Sequence, residues 1–362
     1  MAEDDAPQAV RPVPIADRAA LPVAALLQVM LGYWVSQSLC VVAHLGVADV
    51  LRDGPRQVDE IAAQVGADPG PLYRVMRALA TAEVFEEHEG RAFALTPVSE
   101  PLVSGLPGSV RALALWHGAS WHWGPWGDLL ETVRGGDPAF DRVHGCDQFA
   151  FFAKDPAAAE IYHDAMSEFS TTSNLLAAAT YDGFEGIDTL VDVGGGRGEV
   201  LCGLLGMHGH LRGVLVDLPA VVEAARETIA AAGLEGRCEV VAGDYFATVP
   251  DGHAAYMLSM VVNDWDDEHA TAILRTVRRA MREDSVLLLL QMVVPPADEP
   301  SFAKLMDLEM LVHTGGRERT EEEFRMLLEA SGFELERVVP TISPVALLVV
   351  RPRARRMRVP GR

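Results

Sequence analysis

The chain has 362 residues, 49% of them hydrophobic, which is enough for buried cores in two domains rather than one. Lys and Arg number 30 against 52 Asp and Glu, and the net charge of −22 argues against a nucleic-acid partner or docking on an anionic membrane. Cys40, Cys146, Cys202 and Cys238 are scattered and form no Cys-x-x-Cys pair. Neither a metal site nor a disulfide framework is expected, and reduced thiols point to a cytoplasmic protein.

Residues 1–17 are acidic, lack the basic start and apolar run of a signal peptide, and are expected to form a disordered tail. Residues 21–47 are apolar but interrupted by Gln28, Gln37 and His44 and by Gly32 and Gly46. A membrane span needs about 20 nearly unbroken apolar residues, so a buried helix pair at a subunit interface is expected instead. The region 18–105 reads as a helical, winged-helix dimerisation domain. Residues 58–66 have a helical apolar period that ends at Gly66. Asp68-Pro69-Gly70-Pro71 then opens a helix over 72–82, and a wing follows, 84–87 and 91–95, joined through Glu89-Gly90. A winged helix can read DNA, but this one carries Glu86, Glu87 and Glu89 on the wing and only Arg74 and Arg77 on the helix. A structural or dimerising role fits better than a transcriptional regulator.

Residues 106–180 read as a helical linker and substrate-pocket region, rich in aromatic side chains. Most of these belong to the core, and Trp123, Phe152, Tyr162 and Met166 are the candidates for an aromatic substrate pocket. From 181 to 352 strands and helices alternate. Strands are predicted over 189–193, 213–217, 239–242, 255–262 and 286–294, and helices over 219–232 and 267–282. That alternation predicts an α/β domain with a parallel, doubly wound, Rossmann-like sheet. Segments 333–338 and 345–350 are expected as a terminal antiparallel hairpin, and 353–362 as a basic tail.

The strongest motif is Val191-Asp192-Val193-Gly194-Gly195-Gly196-Arg197-Gly198, a strand running into a glycine loop and a helix over 199–207. Such a loop brings backbone N–H groups close to a ligand at a helix N-terminus. No Gly-Lys-Ser/Thr follows, so it is not a phosphate loop, and Glu199 stands where a dinucleotide fingerprint needs its third glycine. Asp217 ends the second strand, where a carboxylate can accept from a ribose diol. Asp244 ends the third, within reach of an adenine amino group, with Tyr245 or Phe246 to pack the ring. Ribose and adenine without pyrophosphate describe S-adenosyl-L-methionine. Gly194, Gly196, Gly198, Asp217, Leu218, Asp244, Tyr245, Phe246 and Ser259 are therefore the cofactor-binding candidates.

These stretches, with Leu215-Val216-Asp217-Leu218-Pro219, Asn263-Asp264-Trp265 and Gly315-Gly316-Arg317-Glu318-Arg319-Thr320, resemble the plant-type small-molecule O-methyltransferases. That family includes caffeate and acetylserotonin methyltransferases, and the likeness extends to its bacterial polyketide- and anthracycline-tailoring branch. The resemblance covers nearly all of residues 20–352. It implies a class I methyltransferase domain, a homodimer swapped through the N-terminal helices, and an aromatic acceptor held between the domains. It also gives the ribose role to Asp217, the adenine role to Asp244 and the cofactor's amino-acid end to the glycine loop.

Most members of the family carry His-Asp-Trp where this chain has Asn263-Asp264-Trp265. An amide has no useful basicity, so Asn263 can orient an acceptor but cannot deprotonate it. Three explanations compete. The acceptor ionises unaided and is methylated by proximity; another residue such as His313 is the base; or the fold now catalyses a non-methylating hydroxylation or cyclisation with S-adenosylmethionine bound. The first is favoured, since orientation alone can supply up to about 7–11 kcal/mol. The resemblance makes Glu318 an acid bracketing the reaction site. Asp264 is expected to contact the acceptor or to cap the helix near Asp267, and Trp265, Met306 and Met310 are expected to wall the pocket.

Overall fold

The computed structural model describes residues 22–353, so the expected tail over 1–17 and nearly all of the basic tail over 353–362 lie outside the described residues. The chain divides into two compact units. One runs to Gly124 and takes in Asp155–Phe169, and the other comprises Pro125–Lys154 and everything from Ser170 onward.

In the first unit come α1 (Pro22–Leu45), α2 (Val47–Val50), β1 (Arg56–Gln57), α3 (Val58–Val65), α4 (Pro69–Ala80), β2 (Phe85–His88), β3 (Ala92–Leu95), α5 (Arg111–Gly118), most of α6 (Ser120–Trp126) and α10 (Pro156–Phe169). Asp68 starts α4 by accepting from the Gly70 N–H at 2.8 Å, and proline follows at the first helical position. The helix therefore begins earlier and ends earlier than 72–82. The strands pair antiparallel in the order β1-β3-β2, and Ile61, Met76, Leu79, Phe85 and Phe93 form the core beneath them. Arg77 and Arg91 hold their guanidinium groups 5.2 and 4.3 Å from the centre of the Tyr73 ring, whose hydroxyl donates to Glu87 at 2.8 Å. Two of the cations nearest the wing are thus engaged within the unit.

The expected helix pair over 21–47 is instead one 24-residue helix, unbroken at Gly32, with a short α2 after Gly46. A lone helical glycine costs only about 1 kcal/mol, too little to break a helix of that length. Nor is α1 buried within the chain. Val42 and Ala43 are its buried residues, while Leu26, Leu27, Met30, Tyr33 and Trp34 are exposed. By length and composition alone this helix is apolar enough to cross a membrane.

The second unit holds α7 (Leu129–Gly135), α8 (Ala139–His144), α9 (Gln148–Phe152), α11 (Leu175–Ala178), β4 (Thr189–Val193), α12 (Glu199–Met207), β5 (Arg212–Asp217), α13 (Val222–Ala231), β6 (Cys238–Ala242), β7 (Ala255–Ser259), α14 (Asp267–Ala280), β8 (Val286–Gln291), α15 (Ala303–His313), α16 (Glu321–Ala330), β9 (Phe333–Val339) and β10 (Ala346–Pro352). Its seven strands run in the order β6-β5-β4-β7-β8-β10-β9. β4 to β8 are mutually parallel, and β10 pairs antiparallel with both β8 and β9, so the terminal hairpin extends the sheet. Val191, Val193, Tyr256, Leu258, Leu287 and Leu289 pack against Ile273, Leu274 and Val277 of α14 and Phe324 and Leu328 of α16.

Two strands stop short of their apolar runs. β7 ends at Ser259 because Met260 takes a positive φ of 51° and the chain then coils through Val262–Asp264. β8 ends at Gln291, and Val293 beyond it makes only an isolated bridge to Arg319. Both interruptions fall at the carboxyl edge of the parallel strands, where ligands bind in open α/β sheets.

Candidate active site

The glycine loop leaves β4 at that edge. Gly194 has φ 73°, and a Cβ there would lie 2.8 Å from Val261 Cγ2 and 3.5 Å from the Tyr245 ring. Any side chain would wedge the loop away from β7. Gly196 is open on its outer side, with nothing within 4 Å of where a Cβ would stand, and its N–H donates to Asp217 Oδ2 at 2.8 Å. The other carboxylate oxygen of Asp217 accepts from the Leu218 N–H at 2.7 Å. Burial raises the Asp217 carboxyl above its ordinary range, and these two backbone bonds oppose the rise.

Asp244 turns the chain after β6 by accepting from the Phe246 N–H at 2.8 Å. That turn starts an aromatic run in which Tyr245 lies 5.3 Å from Phe246, and Phe246 meets Trp265 edge-on at 4.8 Å. Phe149 of α9 stacks on Trp265 at 6.1 Å. The hydroxyl of Ser259, at the end of β7, is shielded from solvent without a hydrogen-bond partner. The structure therefore gathers the cofactor candidates along one edge. The open face at Gly196, the two strand-end carboxylates, the aromatic wall and the unpartnered Ser259 hydroxyl fit S-adenosylmethionine.

Asn263 sits in the turn that ends β7, only 2% exposed. Its Nδ2 donates to Glu318 Oε1 at 3.2 Å and lies 3.5 Å from the Met310 sulfur, while its Oδ1 has no partner. Glu318 is equally buried and its Oε2 is also without a partner. Burial pushes the Glu318 carboxyl up to about 8, reinforced by Asp264 and Asp307, so it is largely protonated at neutral pH. Burial alone lifts Asp264 to about 7. Asp264 does not cap α14. That cap is Asp266, which accepts from the His269 N–H at 2.8 Å because it stands directly before the first helical residue.

Two features hold this turn against the Glu318 segment. A Cβ on Gly316 would stand 2.0 Å from the Asn263 carbonyl oxygen, so only glycine permits that approach. Arg319, 1% exposed, pairs with Asp267 at 2.8 Å and donates to the carbonyls of Val262, Trp265 and Arg317 at 3.1, 2.9 and 3.2 Å. Its five-donor fork is spent on the Asp267 carboxylate and three backbone carbonyls and makes no hydrogen bond to the Glu318 carboxyl.

His313 closes α15, with Nδ1 3.1 Å from the Glu309 carboxylate and 3.3 Å from its carbonyl, and its ring lies about 6 Å from Trp126 and 5.8 Å from Phe140. None of these partners is Asn263 or Glu318. Of the pocket-wall candidates, Met310 touches the Asn263 amide, Met306 lies one turn earlier on α15, and Phe152 is buried on α9. Trp123, Tyr162 and Met166 belong to the first unit, where Trp123 packs against Tyr33 at 6.2 Å and Tyr162 meets Trp116 edge-on at 6.0 Å.

Two polar residues at this edge carried no assignment in the sequence reading. Asp192, 1% exposed in β4, has no partner for either carboxylate oxygen; burial, with Asp217 and Glu199 nearby, raises it to about 8. Gln291, fully buried at the end of β8, has none for its Oε1 or Nε2. The available signal was a polar residue inside an apolar strand, Val-Asp-Val and Leu-Leu-Leu-Leu-Gln, since buried polar groups left unpaired are rare outside functional sites.

Comparisons with known proteins show the family. Family models for an O-methyltransferase domain and an O-methyltransferase dimerisation domain match residues 126–334 and 27–105. A phenazine O-methyltransferase, PhzM of Lysobacter antibioticus, is 41% identical over 90% of this chain and 95% of its own. The mitomycin biosynthesis 6-O-methyltransferase of Streptomyces lavendulae is 38% identical over 89% and 93%. The structure of NcsB1, an O-methyltransferase from neocarzinostatin biosynthesis in complex with S-adenosylmethionine and 2-hydroxy-5-methyl naphthoic acid, superposes with a TM-score of 0.76 at 30% identity, covering 90% of this chain and 98% of that one.

Proposed function

This chain belongs to the O-methyltransferase family, an S-adenosylmethionine-dependent one, and from that premise we propose that it methylates a hydroxyl of an aromatic, polyketide-like natural product by proximity and orientation rather than general-base catalysis. The observation that carries the reading is the buried Asn263–Glu318 pair. The amide stands where the family's base would be, and the carboxyl bonded to it is largely protonated at neutral pH. Bound S-adenosylmethionine supplies an electrophilic sulfonium methyl. The open Asn263 Oδ1 is suited to holding an acceptor hydroxyl, and Met310 and Trp265 to excluding water around it. The acceptor docks as a phenol, its hydroxyl donated to Asn263 Oδ1, and loses that proton to solvent before it takes the methyl group, so it must be an acidic phenol. His313 is the second candidate for a base and reaches the reaction only if its Glu309 contact opens.

We place the homodimer contact on α1, whose exposed apolar face lies within the match to the dimerisation domain. The cysteines, all free, suit the reducing cytoplasm. The deciding experiment incubates the protein with methyl-labelled S-adenosylmethionine and a panel of hydroxylated aromatic polyketides, and reads product mass and S-adenosylhomocysteine. A product carrying one labelled methyl in place of a hydrogen, with S-adenosylhomocysteine formed at about one per turnover, is the expected result. An oxygenated or cyclised product without S-adenosylhomocysteine overturns it in favour of the non-methylating reading.

A further inference from the structure

β8 is Val-Leu-Leu-Leu-Leu-Gln, five apolar residues and then Gln291, which is 0% exposed with neither side-chain polar atom partnered. An amide in such a place loses its water and gains nothing within the chain, so it weakens the fold by itself. Its placement suggests what it gains instead. The neighbouring strand β7, paired with β8 through Ser259 and Leu290, leads within four residues to Asn263. The chain beyond Gln291 runs beside the Glu318 segment, through the Val293–Arg319 bridge and the Val294 N–H donated to the Arg319 carbonyl at 3.0 Å.

We propose that Gln291 is a specificity-determining residue, selecting acceptors that carry a neutral carbonyl oxygen beside the reacting hydroxyl. The donor count around Asn263 favours this chemistry. The Asn263 amide is already directed at Glu318 and Met310, which leaves its Oδ1 as an acceptor for a hydroxyl. The Gln291 NH2 supplies the donors that a second oxygen on the same ligand needs. Charge decides between a carbonyl and a carboxylate. Asp264 and Asp307 stand beside Glu318, and among the described residues the Arg319 guanidinium there is already held by Asp267 and three carbonyls, so a carboxylate on the ligand would meet acidic neighbours and a cation that is already paired. The inference rests on the acceptor site of the proposed methyltransferase, but its test reads binding and needs no turnover.

The full-length protein, saturated with S-adenosylhomocysteine, is titrated with 1-hydroxyanthraquinone, whose hydroxyl faces a carbonyl, and with 1-hydroxyanthracene, which lacks it. The wild type is expected to prefer the quinone by about tenfold or more, the worth of one good hydrogen bond left unmade. Gln291→Leu is expected to reduce that preference to about twofold or less, to leave 1-hydroxyanthracene and S-adenosylhomocysteine affinities unchanged, and to raise the melting temperature by about 2–4 °C as a buried unpaired amide is removed. Gln291→Met, which keeps the volume and has no donor, is expected to lose the preference as well. Equal or undetectable binding of the two probes by the wild type overturns the proposal. So does a Leu variant that keeps the preference, melts lower or fails to fold, because each makes the amide structural. A protein that shows the preference yet never forms S-adenosylhomocysteine sinks the methyl-transfer reading and leaves the role of Gln291 standing.

Discussion

At the residue scale, the proposed proximity mechanism turns on the amide of Asn263. Asn263→Ala removes an orienting contact and no proton acceptor, so kcat is expected to fall by about tenfold or less, well short of the ~10²–10⁴ typical of a lost general base. Steady-state kinetics on a methylated acceptor check this, and a fall of three orders of magnitude in a folded variant would contradict the proximity mechanism. Asp217→Ala is expected to weaken S-adenosylmethionine binding tenfold or more in calorimetry, because it removes a charge-assisted acceptor and frees the Gly196 N–H it now holds at 2.8 Å. The buried acids give a pH signature. Asp192 and Glu318, both near 8, bind protons more tightly folded than unfolded. The native state is therefore expected to lose stability as pH rises from the ordinary carboxylate range near 4 toward 8, with no further loss above it. For one such group the effect is on the order of a few kcal/mol. Denaturant titrations from pH 5 to pH 8 should show Glu318→Gln gaining on the wild type as pH rises; parallel curves would show Glu318 to be ionised throughout.

At the scale of elements, the sequence was most informative where local chemistry decides. β4 and α12 fall where the apolar run and the glycine loop place them. The misjudged ends are those settled by tertiary contact. Apolar runs over 255–262 and 286–294 continue past their strands because Val261 and Val262 join the core from a coil, and Val293 packs against the same cluster. Periodicity cannot separate a strand from a buried turn. The same limit hid the clamp of Gly316 and Arg319, whose partners Asn263, Asp267 and Trp265 are about 50 residues away in the chain. Asp192 and Gln291 were visible as letters, but their lack of partners is a property of the folded chain. Gly316→Ala tests the clamp. With its Cβ 2.0 Å from the Asn263 carbonyl oxygen the turn must move, at a cost of about 1–3 kcal/mol in stability. Acceptor turnover is expected to fall more steeply than S-adenosylmethionine binding, which calorimetry and kinetics together would show.

At the scale of the whole molecule, α1 has, among the described residues of its own unit, no counterpart for most of its apolar surface. Leu26, Leu27, Met30, Tyr33 and Trp34 are exposed, a stretch far larger than the scattered apolar residues of an ordinary surface. Replacing Leu27 and Met30 together with Glu is expected to convert the proposed homodimer to monomer in analytical ultracentrifugation at micromolar concentration, leaving the far-ultraviolet spectrum intact. A dimer that survives would move the subunit contact elsewhere.

With the proposed subunit contact on it, the same helix ties thermal resistance to abundance. When a segment finds cover only on a second polypeptide, unfolding and separation become one equilibrium, and dilution works as a denaturant. Heating scans on the wild type at several loadings should then give midpoints that climb with each tenfold increase in protein. In a producing cell, a low copy number would leave the enzyme short of partners and fragile even with every catalytic group in place.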